Sequence, residues 1–205
     1  MGFYLILLLA LFIAVVLVLI LYSKGSTKRK IVKAGKEGEN RTAFLLEALP
    51  DNYILIRNAV ISYDGRESEI DNIVVGNTGV FVIETKNQKG HIFGDCLEKN
   101  WLQRKVGRGG TPYSKEFYNP TKQVSTHIYR LKHILLQNRI RTFISGAVYF
   151  SNPETVVSID NPRDDIPVFQ YRNKKELLNY ILNGKEKLSD SEVHRITSII
   201  KSNRH

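Results

Sequence analysis

The longest uninterrupted apolar stretch in the chain comes first. Phe3 to Tyr22 is a run of twenty residues without a charge. A helix of that length spans about 30 Å, the hydrocarbon thickness of a bilayer. Residues 3–22 are therefore predicted to form one transmembrane helix, with Tyr4 and Tyr22 near its ends, where amphipathic rings favour the interface. A cleaved signal peptide fits less well, because no Lys or Arg precedes the run and Ser23-Lys24-Gly25-Ser26 offers no small-x-small site. Lys24, Lys28, Arg29, Lys30, Lys33 and Lys36 follow at once. The positive-inside rule then places the N-terminus outside the cell membrane and the rest of the chain in the cytoplasm. Residues 23–32 read as a basic juxtamembrane linker.

Beyond the linker the pattern alternates between helical and extended periods. Lys33–Leu49 predicts a helix closed by Pro50, although its first half carries Gly35 and Gly38 and is weak by propensity. Tyr53–Ile61 and Glu69–Val75 predict a hairpin about Asp64-Gly65. After Asn77-Thr78-Gly79, the continuous apolar run Val80–Glu84 predicts a central strand buried on both faces. His91–Leu97 and Trp101–Lys105 predict two more strands, and the glycine-rich, polar Gly107–Tyr118 predicts a loop. Asn119-Pro120 opens a long amphipathic helix through Leu135, and Phe143–Phe150 follows as a buried strand. Weaker strands at Val156–Ile159 and Val168–Tyr171 precede helices over Lys174–Leu182 and Ser189–Ser202, the last capped by Ser189 or Asp190. This order argues for one α/β domain, a sheet flanked by helices, with a core over residues 33–150 completed by residues 151–205.

Composition narrows the partners. Thirty Lys+Arg against twenty Asp+Glu leave a formal charge of +10, which points to a polyanion, either nucleic acid or anionic lipid. One cysteine, Cys96, excludes an intramolecular disulfide framework and a cysteine-rich zinc site. The basic residues concentrate between 99 and 141, where Arg104, Lys105, Arg108, Lys115, Lys122 and Arg130 are candidate phosphate contacts interleaved with Tyr113, Phe117 and Tyr118. A solvated basic face accounts for the same run equally well. His127 and His133 are six residues apart on the long helix and read as ordinary residues.

Candidate chemistry lies at Asp71 and Glu84-Thr85-Lys86. Glu84 and Lys86 are two apart on a strand and share a face, and the Asn77 turn brings Asp71 alongside. Charges on an otherwise apolar central strand are costly unless paired or used. Two carboxylates suit a hard divalent cation that also takes phosphate oxygens, and a lysine beside them can stabilise developing negative charge. Spacing alone equally allows a solvated aspartate and a surface ion pair.

The segments Lys36-Glu37-Gly38-Glu39, Glu69–Val75, Thr78–Asn87, Gly90, Trp101 and Asn119–Gln123 occur in this order, and together they resemble the NERD (nuclease-related) domain, a likeness covering roughly residues 33–140. That domain is similar to the PD-(D/E)xK nuclease superfamily, so the resemblance implies a restriction-endonuclease-like mixed sheet flanked by helices. It implies metal carboxylates at Asp71 and Glu84, an additional acidic ligand at Glu39, a catalytic lysine at Lys86 and a glutamine near metal or phosphate at Gln123. Asn72 stands where many members have histidine. The function so implied is a membrane-anchored nuclease using Mg²⁺ or Mn²⁺ and acting on DNA. The alternatives are a non-catalytic nucleic-acid-binding module and a membrane scaffold.

Overall fold

The computed structural model describes residues 29–107 and 109–203. The chain divides into two compact units, residues 1–37 and 38–205. The expected membrane span at residues 3–22 lies outside the described residues. Among the described residues no helix is long and apolar enough to cross a membrane. In the first unit residues 29–37 are helical, so the linker expected over residues 23–32 is helical from 29 onward.

The second unit opens with helix α1, residues 38–46. Strands β1 (Ile54–Tyr63), β2 (Arg66–Gly76) and β3 (Gly79–Lys86) follow as an antiparallel meander, turning at Asp64-Gly65 and at Asn77-Thr78. β3 is the centre of a five-stranded mixed sheet, ordered β1-β2-β3-β7-β9, in which β7 (Ile144–Phe150) and β9 (Val168–Gln170) run parallel to their neighbours. Every residue of β3 from Gly79 to Thr85 is buried, as its continuous apolar run requires.

The single sheet expected from the sequence is corrected to two. β4 (Gly90–Asp95), β5 (Asn100–Val106), β6 (Pro112–Tyr118) and β8 (Thr155–Asp160) form a separate four-stranded sheet in the order β6-β5-β4-β8. Part of the expected loop Gly107–Tyr118 is strand β6, paired along its length with β5. β6 is an edge strand, and Phe117 is its only residue that is not exposed. It therefore shows no hydrophobic alternation for a sequence reading to find.

Helices cover both faces of the larger sheet. On one side Leu46 of α1 and Leu177 and Ile181 of α3 (Lys174–Leu182) pack with Val74, Phe81, Ile83 and Tyr149. The other side holds α2 (Pro120–Gln137) and α4 (Asp190–Ser202), whose Val124, Leu131, Ile196 and Ile200 pack with Ile73, Val82 and Val148. Trp101 and Cys96 belong to the same cluster. The indole stacks on Phe150 and donates to the Asp95 carbonyl at 2.9 Å, so Trp101 is a core residue. Ser189 caps α4 in a reciprocal capping box with Glu192.

Gly38 explains why a weakly helical segment is helical here. A Cβ at this position would lie 2.4 Å from Asn87 Cβ and 3.0 Å from Ser151 Oγ, so only glycine lets α1 approach the chain leaving β3 and β7. Arg41, one turn on, seals that approach by donating to Asn87 Oδ1 at 3.2 Å and to the Ser151 carbonyl at 2.7 Å. Gly38→Ala should cost about 1–3 kcal/mol by overpacking, despite the better helix propensity of alanine. Urea denaturation measures this, and a gain in stability would contradict the packing.

Candidate functional site at the end of the central strand

The antiparallel register pairs Asn72 with Ile83, and one further step places Asp71 opposite Glu84. Opposed residues project to the same face. Asp71, Glu84 and Lys86 therefore share the face of β2 and β3 that α2 covers. Asn72 points the other way, where its amide donates to Thr85 Oγ1 at 3.2 Å. It does not face the site.

Glu84 is 2 % exposed. Its Oε1 accepts from Lys86 Nζ at 2.6 Å, and the same ammonium donates to Gln123 Oε1 at 3.0 Å. His127 Nε2 stands 3.5 Å from Glu84 Oε2, beyond a normal hydrogen-bond length, and neither atom has a hydrogen-bond partner. Burial alone would push the Glu84 carboxyl up, but the His127 imidazole and the Lys86 ammonium outweigh it and hold the group below its ordinary value. Asp71 behaves in the opposite way. Burial and then the charge of Glu84 push it up to about 7, with Glu39 adding to the rise, against the Thr85 N–H bond to Asp71 Oδ2 at 2.7 Å and the charge of Lys86. Two neighbouring carboxyl groups are thus driven apart in acidity, a pattern typical of functional sites.

The sign of the Asp71 shift sets a pH dependence. Its native pKa lies above its unfolded value, so the unfolded state loses its proton first as pH rises. Asp71 therefore costs the metal-free protein stability progressively between about pH 4 and pH 7, at up to about 1.4 kcal/mol per pH unit. Asp71→Asn should gain on the wild type across that window and hold a constant advantage above it. Melting temperatures from pH 4.5 to 8 check this, and a constant difference would contradict it.

The start of α2 fixes the other half of the site. Asn119 is fully buried; its Oδ1 caps the helix at Thr121 N, while its Nδ2 donates to the carbonyls of Asp95, Cys96 and Glu98. Pro120 occupies the first turn, where its missing N–H costs nothing. Gln123 and His127 are four apart and so lie on one face of the helix, and both meet the Glu84–Lys86 pair.

Residues 34–151 match the family model described as the nuclease-related domain, NERD, which is more than half of the chain. The chain belongs to the NERD family. An uncharacterised protein of Bacillus anthracis is 32 % identical over 126 residues, covering 60 % of this chain and 57 % of the relative. The chain thus spans little more than half the length of that relative. No solved structure matches it. The NERD match ends at Ser151, whose N–H donates to the Lys86 carbonyl, so β8, β9, α3 and α4 lie beyond it.

Within the NERD segment, the structure brings together Asp71, Glu84, Lys86 and Gln123. Glu39 is near enough to act on the charge of Asp71, but its Oε2 accepts from Asn58 Nδ2 at 3.2 Å. Among the described residues no group of three or more His, Cys, Asp or Glu side chains converges closely enough to hold a metal ion. Glu39, Asp71 and Glu84 therefore do not form a three-carboxylate cluster as the side chains stand. His127, read from the sequence as ordinary, is the residue that reading missed. His133 does pack ordinarily, stacked on Tyr63.

The six candidate phosphate contacts separate. Arg104 and Lys105 line a cleft of about 380 Å³ with Lys89, His91 and Val156, and Lys115 is exposed on β6. Lys122 donates to the Leu97 carbonyl at 2.7 Å. Arg130 donates to the Glu67 carbonyl at 2.6 Å and to Ser68 Oγ, tying α2 to β2. These two cations serve the fold. Arg108 lies outside the described residues.

Proposed function

We propose that this chain is a metal-dependent nuclease that hydrolyses DNA phosphodiester bonds on a restriction-endonuclease-like fold. The observation that carries the reading is the Glu84–Lys86–Gln123 network facing Asp71, built into an otherwise apolar face of the central strand. A buried ion pair is expensive to maintain, and here it adjoins an acidic neighbour rather than a satisfied structural network.

The chemistry of the paired carboxyl groups suits a divalent cation, although among the described residues no three ligands converge as the side chains stand. Glu84 Oε2 is a buried carboxylate oxygen with no hydrogen-bond donor, and Asp71 stands opposite it on the neighbouring strand. Asp71 and Glu84 would hold Mg²⁺ or Mn²⁺, with Glu39 as an acidic residue at the margin of the site. Such an ion, when bound, polarises the phosphoryl group and lowers the pKa of bound water. Lys86, fixed by Glu84 and Gln123, supplies positive charge for the negative charge that develops on the phosphate. Of the candidate phosphate contacts, Arg104 over the Phe93 ring, Lys105 over the Tyr113 ring and the exposed Lys115 would track a phosphate backbone.

The same proposal places the protein at a membrane. The uncharged run at residues 3–22 is the anchor, and the lysines after it put the domain in the cytoplasm. Incubating the purified full chain with supercoiled and linear DNA, with and without Mg²⁺ or Mn²⁺, tests the activity. Cleavage that a chelator abolishes is expected. Salt-sensitive binding without cleavage under any divalent ion would leave a nucleic-acid-binding module instead.

A further inference from the structure

Among the described residues, Glu84 Oε2 and both ring nitrogens of His127 are buried without hydrogen-bond partners. His127 is 5 % exposed, and its Nε2 is the ring atom beside Glu84, 3.5 Å from Oε2. A neutral imidazole carries one donor and one acceptor, and leaving both unused in the interior costs free energy that native structures rarely concede. The helix of His127 is fixed at the N-terminus by Asn119 and held along its length by Arg130, so the imidazole is carried to Glu84 by rigid elements.

The separation itself suggests the occupant. Two atoms that each ligate one ion at about 2.1 Å stand roughly 3–4 Å apart, wider than a hydrogen bond and close to what is found here. We infer that His127 Nε2 and Glu84 Oε2 form a mixed nitrogen–oxygen clamp that makes this site favour first-row transition ions such as Co²⁺ over Mg²⁺. Magnesium takes oxygen ligands and sheds water reluctantly. Imidazole suits the later divalent ions, whose affinity rises from manganese towards copper. Lys86 Nζ remains bonded to both Gln123 Oε1 and Glu84 Oε1, so Oε2 is the oxygen left to ligate. The inference rests on the metal-dependent reading above and adds a ligand and a preference to it.

Binding measurements on the full chain separate the two. Co²⁺ affinity is read from its visible absorption and Mg²⁺ affinity by competition, in the wild type, His127→Gln, His127→Ala and Asp71→Asn. Circular dichroism melting shows which variants are folded. His127→Gln should lose at least about tenfold in Co²⁺ affinity and keep Mg²⁺ affinity within about twofold. Proton NMR of the Co²⁺-loaded wild type should show an exchangeable, strongly shifted imidazole N–H resonance, a readout that needs no variant. Unchanged Co²⁺ affinity in both His127 variants, with a loss in Asp71→Asn, would overturn the clamp and leave the carboxylate site standing. Failure of the wild type to bind either ion would overturn both.

Discussion

Lys86→Ala should lower DNA cleavage by at least about 10²–10³-fold, the usual cost of removing one preorganised charge from a transition state. Nucleic-acid binding should change little, because Arg104, Lys105 and Lys115 are untouched. The same substitution should also destabilise the metal-free protein. Glu84 is 2 % exposed, and Lys86 is its 2.6 Å partner; removing one member of a buried pair costs about 3–5 kcal/mol. A divalent ion should recover part of that loss by neutralising Glu84. Cleavage kinetics and melting temperatures with and without Mg²⁺ read both effects. Cleavage within a few fold of the wild type would remove Lys86 from the chemistry.

The second large effect is expected at Gly146 on β7. A Cβ there would lie 2.4 Å from Val124 Cγ1 and 2.7 Å from Ile128 Cδ1, so α2 sits directly on the bare backbone. Gly146→Val should cost about 3 kcal/mol, because Val124 is fully buried and yields only with a shift of α2. That shift carries Gln123 and His127 with it. Cleavage should therefore fall further than the loss of folded protein explains. Gly146→Ala should give an intermediate result in both readouts. Urea denaturation and activity per folded molecule measure them, and a valine variant of normal stability and activity would show that α2 does not need this seat.

Much of the site could be read from the chain because it is built locally. The turn at Asn77-Thr78-Gly79 joins two strands in register, so the distance from Asp71 to Glu84 in sequence largely fixes their opposition in space. The long apolar run of β3 announced a central strand, and Asn119-Pro120 announced the start of α2. The resemblance to NERD rested on those same segments, and the family match covers them.

What could not be read depended on contacts distant in sequence or on absent patterning. The second sheet is assembled by β4 pairing in parallel with β8, about 65 residues on, and nothing in either strand names its partner. β6 is almost wholly exposed and so has no alternation. Lys122 and Arg130 look like any surface cations until their carbonyl partners are seen. His127 is a different case, because its signal was present. Set beside His133 it reads as ordinary, whereas its position one helical turn after Gln123 places it on the site face.

On the proposed function, the Asp71, Glu84 and Lys86 cluster cuts DNA with a divalent ion. The most direct measurement is nicking of supercoiled DNA by the full-length wild type and Glu84→Gln, side by side with Mg²⁺ or Mn²⁺ and with DNA binding recorded for both. Glu84→Gln keeps the shape of the side chain and removes its charge. The expected result is metal-dependent nicking by the wild type, none by the variant, and equal binding. Equal nicking by both proteins, or none by either under any divalent ion, would contradict it.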